Sequence, residues 1–284
     1  LEELEAGDAA AAGSDPVMAA ARAARRSPDD GRRPSVEILF HALLPFRYVL
    51  HLHPTTVNAL TCARDGARLA AELFGDEALW IPYTDPGLPL ARRIRDGLAA
   101  RPAGTPAPAV YLLQSHGLIV GAETTEAVAA TTRATSERIA ARIAAAPASP
   151  REPILRHDPI TARELLEALV PAVAARLAGP DGAPAVVPET SELALVAAGG
   201  SLGRRVAAGG ALTPDTIVYA GAFPLLLEAE PATDAAALLA ALDRIRVALG
   251  ADRLGGIRFL EPAERRFVEE WEAEAYRKQV SRGS

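Results

Sequence analysis

Cysteine occurs once, at Cys62, so the chain cannot close an internal disulfide, which fits a reducing compartment. No apolar stretch approaches the ~20 residues needed to cross a bilayer. The first residues, Leu1-Glu2-Glu3-Leu4, are acidic and unlike a secretory leader. Basic residues are in the minority: 30 Lys and Arg face 36 Asp and Glu, giving a formal charge of -6 and a pI near 5.5. A nucleic-acid-binding surface needs a clustered basic face, which this balance argues against. These absences lead to the expectation of a cytoplasmic protein with no membrane and no nucleic-acid partner. What is present is core-forming material. Of 284 residues, 49% are hydrophobic, enough for one large domain or two ordinary ones.

Apolar periodicity and breaker residues divide the chain. Pro34-Ser35 opens an apolar helix at 36–44, which Pro45 stops. A strand at 47–53, a helix at about 55–74, a short strand at 78–82 and a helix at 88–101 follow. After a Pro-rich loop at 102–108 come strands at 109–114 and 118–121 and a long helix at 123–145. Strand and helix alternating at this spacing predict an α/β layered fold. Three prolines between Pro147 and Pro153 mark a linker. The expected division is a layered α/β domain at 1–148 and a second, smaller α/β domain at 149–284. That second part is expected to hold a helix at 161–178, a segment at 190–198, a strand pair at 215–219 and 223–229, a helix at 234–249 and a final helix at 262–278.

The chemistry concentrates at His51-Leu52-His53-Pro54, at the end of the apolar run Arg47-Tyr48-Val49-Leu50. Side chains alternate along a strand, so His51 and His53 point the same way, roughly 7 Å apart at Cα. A third histidine, His116, ends the run Val110-Tyr111-Leu112-Leu113. Three imidazoles and one open position describe a catalytic zinc site. Glu37 lies on the helix just before the first of these strands, on one face with His41 at i and i+4. A carboxylate there could act as a ligand, a general base, or both in turn.

In order and spacing, Arg33-Pro34-Ser35-Val36-Glu37-Ile38-Leu39-Phe40-His41, His51-Leu52-His53-Pro54 and Gln114-Ser115-His116-Gly117 resemble the class II aldolase/adducin family over about 34–145. The resemblance implies that Glu37 is the catalytic acid/base and that His51, His53 and His116 hold zinc. His41 matches a family position that is not a ligand, and it is read as supporting Glu37 or the ligands from behind. Glutamate at position 37 is the residue of family aldolases and of related dehydratases, whereas related epimerases generally have aspartate. Three intact histidines separate the chain from adducin heads, which lack them. The implied reaction is retro-aldol cleavage of a ketose phosphate through an enediolate, with the metal stabilising negative charge on substrate oxygens. Three histidines and a carboxylate also suit manganese or cobalt. Family aldolases form homotetramers, so a homo-oligomer is expected, with a sugar or sugar phosphate as substrate. Dehydratase or epimerase chemistry on the same site, or a catalytically silent metal-binding relative, are the alternatives.

Other residues carry weaker implications. Tyr83, in Tyr83-Thr84-Asp85-Pro86-Gly87, matches a family tyrosine at the site mouth; Ser115 stands where many relatives have asparagine; Tyr276 is placed like the C-terminal proton-donor tyrosines of some family aldolases. The glycine- and serine-rich phosphate-binding loop of family aldolases precedes the Pro-Ser-Val-Glu position. Here only 33 residues precede Pro34, and Gly13-Ser14-Asp15 is a poor substitute. The segment Ala211-Leu212-Thr213-Pro214-Asp215-Thr216-Ile217-Val218-Tyr219 and the tail Trp271-Glu272-Ala273-Glu274-Ala275-Tyr276 look like longer bacterial relatives, the predicted rhamnulose-phosphate aldolases. Gly199-Gly200-Ser201-Leu202-Gly203 is read as a turn rather than a nucleotide loop, because no clear strand leads into it. His157 is read as a surface residue and Cys62 as packing.

Overall fold

Four strands form one sheet in the computed structural model, which describes residues 16–25, 34–35, 37–147, 201–220 and 234–271, with scattered positions between 164 and 182. The strands are β1 (Tyr48–Leu52), β2 (Ala78–Ile81), β3 (Val110–Leu113) and β4 (Gly117–Ala122), in the order β1-β4-β3-β2. β4 runs antiparallel to both neighbours, and β2 is parallel to β3.

The period-2 alternation of these strands sorts their side chains into two layers. Leu50, Trp80, Val110, Leu112, Leu118 and Val120 point to one side. There they meet helices α3 (Thr55–Thr61), α4 (Gly66–Phe74) and α6 (Thr125–Ala145). Val49, Ile81, Tyr111, Leu113 and Ile119 point to the other, under α2 (Ile38–Leu43) and α5 (Leu88–Ala99). β3 is buried on both faces, which explains its unbroken apolar run. A short helix α1 (Pro16–Ala23) precedes this unit. The α/β layering read from the sequence is present.

Residues after 200 pack into the same core. Helices α7 (Ser201–Gly209), α8 (Pro214–Ala220), α9 (Asp234–Arg253) and α10 (Pro262–Glu270) complete the described chain. Val206, Leu212, Val247, Ala248, Ala251, Leu254 and Ile257 join Val57, Leu60 and Leu69 in one apolar cluster, and α9 lies along α3.

Three expectations are corrected here. The strand expected at 215–219 is helix α8. Thr213 Oγ1 accepts from the Thr216 amide at 3.3 Å, Pro214 takes the first turn, and Ile217 and Val218 are buried. A capped start with packed apolar residues outweighs the β-branched composition. Its expected partner at 223–229 lies outside the described residues, and the described elements after 200 are helical. The turn expected at 199–203 begins helix α7 at Ser201, because Leu202 and Val206 recur at i and i+4 and Val206 is buried in the core. The single helix expected at 55–74 is two. Residues 62–65 leave the helix to pair with 256–258: the Arg64 amide donates to Gly256 O at 2.9 Å, and the Arg258 amide donates to Cys62 O at 2.7 Å. The last helix is seen over Pro262–Glu270, where Glu261 and Glu264 form a capping box. His157 and Tyr276 lie outside the described residues. Among the described residues no helix is long and apolar enough to cross a membrane.

Candidate metal centre

His51 shares a face with Val49, the face covered by α2. The Phe40 ring of α2 meets the His51 ring edge-on, 5.2 Å between centroids. Pro54 opens α3 directly after His53, so the strand ends with both imidazoles at the rim of the sheet. Glu37 occupies the N-cap position of α2, which brings its carboxylate over them.

His116 arrives from the β3–β4 connection. Leu113 to His116 is a tight turn in which the His116 amide donates to Leu113 O at 3.1 Å. Ser115 holds the third position with φ of 52°, a left-handed conformation more usual for glycine or asparagine. Three anchors hold that turn. The Ser115 amide donates to Thr61 O at 3.0 Å, Arg258 Nη1 donates to Ser115 Oγ at 2.9 Å, and the Tyr83 amide donates to Gln114 Oε1 at 2.9 Å. Gly117 follows, and a Cβ there would lie 2.5 Å from both His53 Cδ2 and Leu52 O, so the close approach of His53 to this strand requires glycine.

The result is one cluster. A donor atom from each of Glu37, His51, His53 and His116 lies within 4.8 Å of all the others. Glu37 Oε1 is 3.2 Å from His116 Nε2 and 3.5 Å from His51 Nε2, and the Nε2 atoms of His51 and His53 are 2.9 Å apart. Metal–nitrogen bonds of about 2.0–2.1 Å in a tetrahedron place neighbouring donors about 3.4 Å apart, so these separations fit a first-row divalent ion.

The outer ring nitrogens fix the tautomers. His51 Nδ1 is 2.9 Å from Leu118 O, and a carbonyl oxygen only accepts, so Nδ1 carries the proton and Nε2 keeps its lone pair. His53 Nδ1 faces the Asp215 carboxylate in the same way. Two neutral imidazoles with their lone pairs turned toward one another is an arrangement a cation reconciles. The donor set therefore fits a divalent metal.

Electrostatics agree. Burial opposes charge on Glu37, yet when the His116 and His51 rings carry protons their hydrogen bonds and positive charge hold its carboxyl well below the usual carboxylate range, and a bound cation would stand in for those protons. Burial pushes His116 down to about 4, against the opposing pull of Glu37, so the ring is neutral and ready to bind at pH 7. His41 is exposed on α2 and outside the cluster; its affinity for protons is lowered, first by burial and then by His51.

Tyr83 and Ser115 are not among the four clustered donors. The Tyr83 ring packs beside Ala211, Ile217, Leu260 and Val268, with the Arg258 guanidinium 5.1 Å from its centroid. Burial and the neighbouring Asp85 and Glu264 carboxylates raise its hydroxyl above the ordinary tyrosine range. Ser115 is buried in its turn, facing Arg258. Cys62 is buried in the core, as read from the sequence. Sequence reasoning missed Asp215 and Gly117. For Gly117 the signal was the His-Gly pair itself; for Asp215 it was only the resemblance of the 211–219 segment to longer relatives, which does not point to His53, 162 residues away.

Residues 4–143 match the family model described as the class II aldolase and adducin N-terminal domain. The match contains all four cluster residues. The chain is also similar to the uncharacterized oxidoreductase YuxG of Bacillus subtilis, 37% identical over 94 residues, which cover 33% of this chain and 13% of that protein. It therefore spans only a small part of that relative. The solved N-terminal class II aldolase domain of a conserved protein from Thermoplasma acidophilum is 23% identical, with a TM-score of 0.39 over 45% of this chain and 56% of that one.

Proposed function

We propose that the chain is a member of the class II aldolase/adducin family and works as a divalent-metal-dependent aldehyde-lyase, cleaving a ketose or ketose phosphate by retro-aldol chemistry. One observation carries the reading: a ring nitrogen from each of three imidazoles and one carboxylate oxygen lie within 4.8 Å of one another. Zinc is the ion we favour, held by His51, His53 and His116, with manganese or cobalt as substitutes. When bound, such an ion supplies Lewis-acid stabilisation of negative charge on substrate oxygens.

The protein's own groups account for the rest. Glu37 sits beside the imidazoles at a helix start. In the cleavage direction a proton must leave the hydroxyl on the far carbon of the bond that breaks, while Glu37 returns a proton to the carbon beside the carbonyl. In the condensation direction its carboxylate takes that proton. Tyr83, Ser115 and Tyr276 are assigned to the substrate side on the family resemblance. A subgroup placement near the predicted rhamnulose-phosphate aldolases, a cytoplasmic location and a homo-oligomeric assembly belong to the same proposal, as does a boundary near residue 148.

Chelator-sensitive release of a triose product from a panel of ketoses and ketose phosphates tests it. Cleavage that Glu37→Gln slows by about 100- to 10,000-fold supports an acid/base role. Loss of water from the sugar without C–C cleavage would assign the site to a dehydratase instead. A metal-loaded chain inert across the panel would leave metal binding without catalysis.

A further inference from the structure

We infer that Asp215, on a helix beyond the segment matched by the family model, is a positioning residue for the metal centre: its carboxylate sets the tautomer and aim of His53. The inference rests on the metal-binding reading above and adds to it a part of the chain to which no role has been given.

The contact is direct. His53 Nδ1 donates to Asp215 Oδ2, and Nδ1 and Nε2 are the two ring nitrogens of one imidazole, so fixing the first as donor leaves the second as the ligand atom. Asp215 is not itself within the donor cluster, which holds Glu37 and the three histidines alone among the described residues. It acts through the ring.

Both partners are largely shielded from water, with 18% and 28% of their side chains exposed. A carboxylate–imidazole bond there is stronger than at an open surface. Asp215 is also carried on a fixed element. It sits in the first turn of α8, whose start is held by Thr213, and α8 packs on both α9 and α10. From the other side, the backbone at Gly117 lies against the His53 ring, so the imidazole is confined between strand and carboxylate.

The companion histidine shows why an outside anchor is needed. His51 is inside the strand, and the neighbouring strand supplies Leu118 O to its Nδ1. His53 lies one residue past the last position of β1, where the ladder no longer reaches it. Asp215 supplies from the C-terminal segment what Leu118 supplies from the sheet. A second link, Thr55 Oγ1 to Asp243 Oδ1 on α9, ties down the residues just after His53 without touching its ring.

The test is metal affinity of the full chain for Zn²⁺ and Co²⁺ alone, read by competition with a chromophoric chelator, together with the visible spectrum of the Co²⁺ form. Asp215→Ala is expected to weaken binding about 10- to 100-fold and to change the Co²⁺ spectrum. Asp215→Asn, whose amide oxygen still accepts from Nδ1, is expected to recover part of that loss. Thr55→Val, which cuts only the second link, should leave affinity within about threefold and the spectrum unchanged. Wild-type affinity and spectrum in Asp215→Ala, or in Asp215→Leu (which also lacks an acceptor) should the alanine variant not fold, would overturn the assignment. So would an equal loss in Thr55→Val, which would point to general docking of the C-terminal segment. A wild-type chain that takes up neither ion would instead defeat the metal reading itself, before Asp215 enters.

Discussion

Two stretches of chain meet at the centre and contribute different things. Residues 37–117 supply every donor atom of the cluster, whereas residues 201–271 supply groups that grip a donor or its sequence neighbours: Asp215 on His53, Asp243 on Thr55 and Arg258 on Ser115. The first set is built by the sheet and follows from strand alternation. The second exists only because helices far along the chain pack against that sheet. Damage to the first should remove an ability; damage to the second should blur it or loosen the fold.

The largest effect is expected from His51→Ala or His116→Ala. Each deletes a donor, so affinity for Zn²⁺ should fall by more than the roughly 100-fold that marks loss of an outer partner. Competition with a chelator measures it, and retention of near-wild-type affinity would break the division between the two stretches. Gly117→Ala comes next. The added methyl would press on His53 and the Leu52 carbonyl, and overpacking of this kind costs about 1–3 kcal/mol, read as a lower urea midpoint.

On the gripping side, Arg258→Ala removes the bonds to Ser115 and to Glu264, the latter at 2.6 Å, as well as the contact with the Tyr83 ring. A loss of about 1–3 kcal/mol in unfolding free energy is expected, with Zn²⁺ still taken up at full stoichiometry. A stoichiometry that collapses in this variant would show that the C-terminal stretch does more than hold. A last test lies away from the centre, at Cys62, whose thiol burial pushes up to about 12. The raised value keeps it protonated at pH 8, so alkylation of the folded chain should run roughly a thousandfold slower than that of an exposed cysteine. Unfolding in urea should restore the ordinary rate.

Much of the centre was legible because its logic is local. His51 and His53 share a face by period-2 alternation, His116 closes an apolar run, and Glu37 opens the helix before the first strand. The layered arrangement followed from the same alternation. What escaped was decided by tertiary packing. Thr216-Ile217-Val218-Tyr219 has strand composition, yet Thr213 caps it and Pro214 leads it, and burial against α9 and α10 completes the helix. Residues 62–65 carry helix-compatible side chains, but the chain at 256–258 claims their backbone groups. Asp215 is an ordinary first-turn carboxylate until the fold sets it against His53.

The turn at Ser115 has one more consequence. Leu113 pairs with Gly117 across it, and only three residues, Gln114, Ser115 and His116, lie between. Adding or removing one residue there would rebuild the turn and move His116 from the place where its Nε2 meets Glu37. Asparagine or glycine could replace Ser115 at little backbone cost, since both accept its left-handed conformation. At Ser115 the backbone thus tolerates a change of residue better than the loop tolerates a change of length: an insertion too small to disturb the core would be enough to take a donor away from the centre.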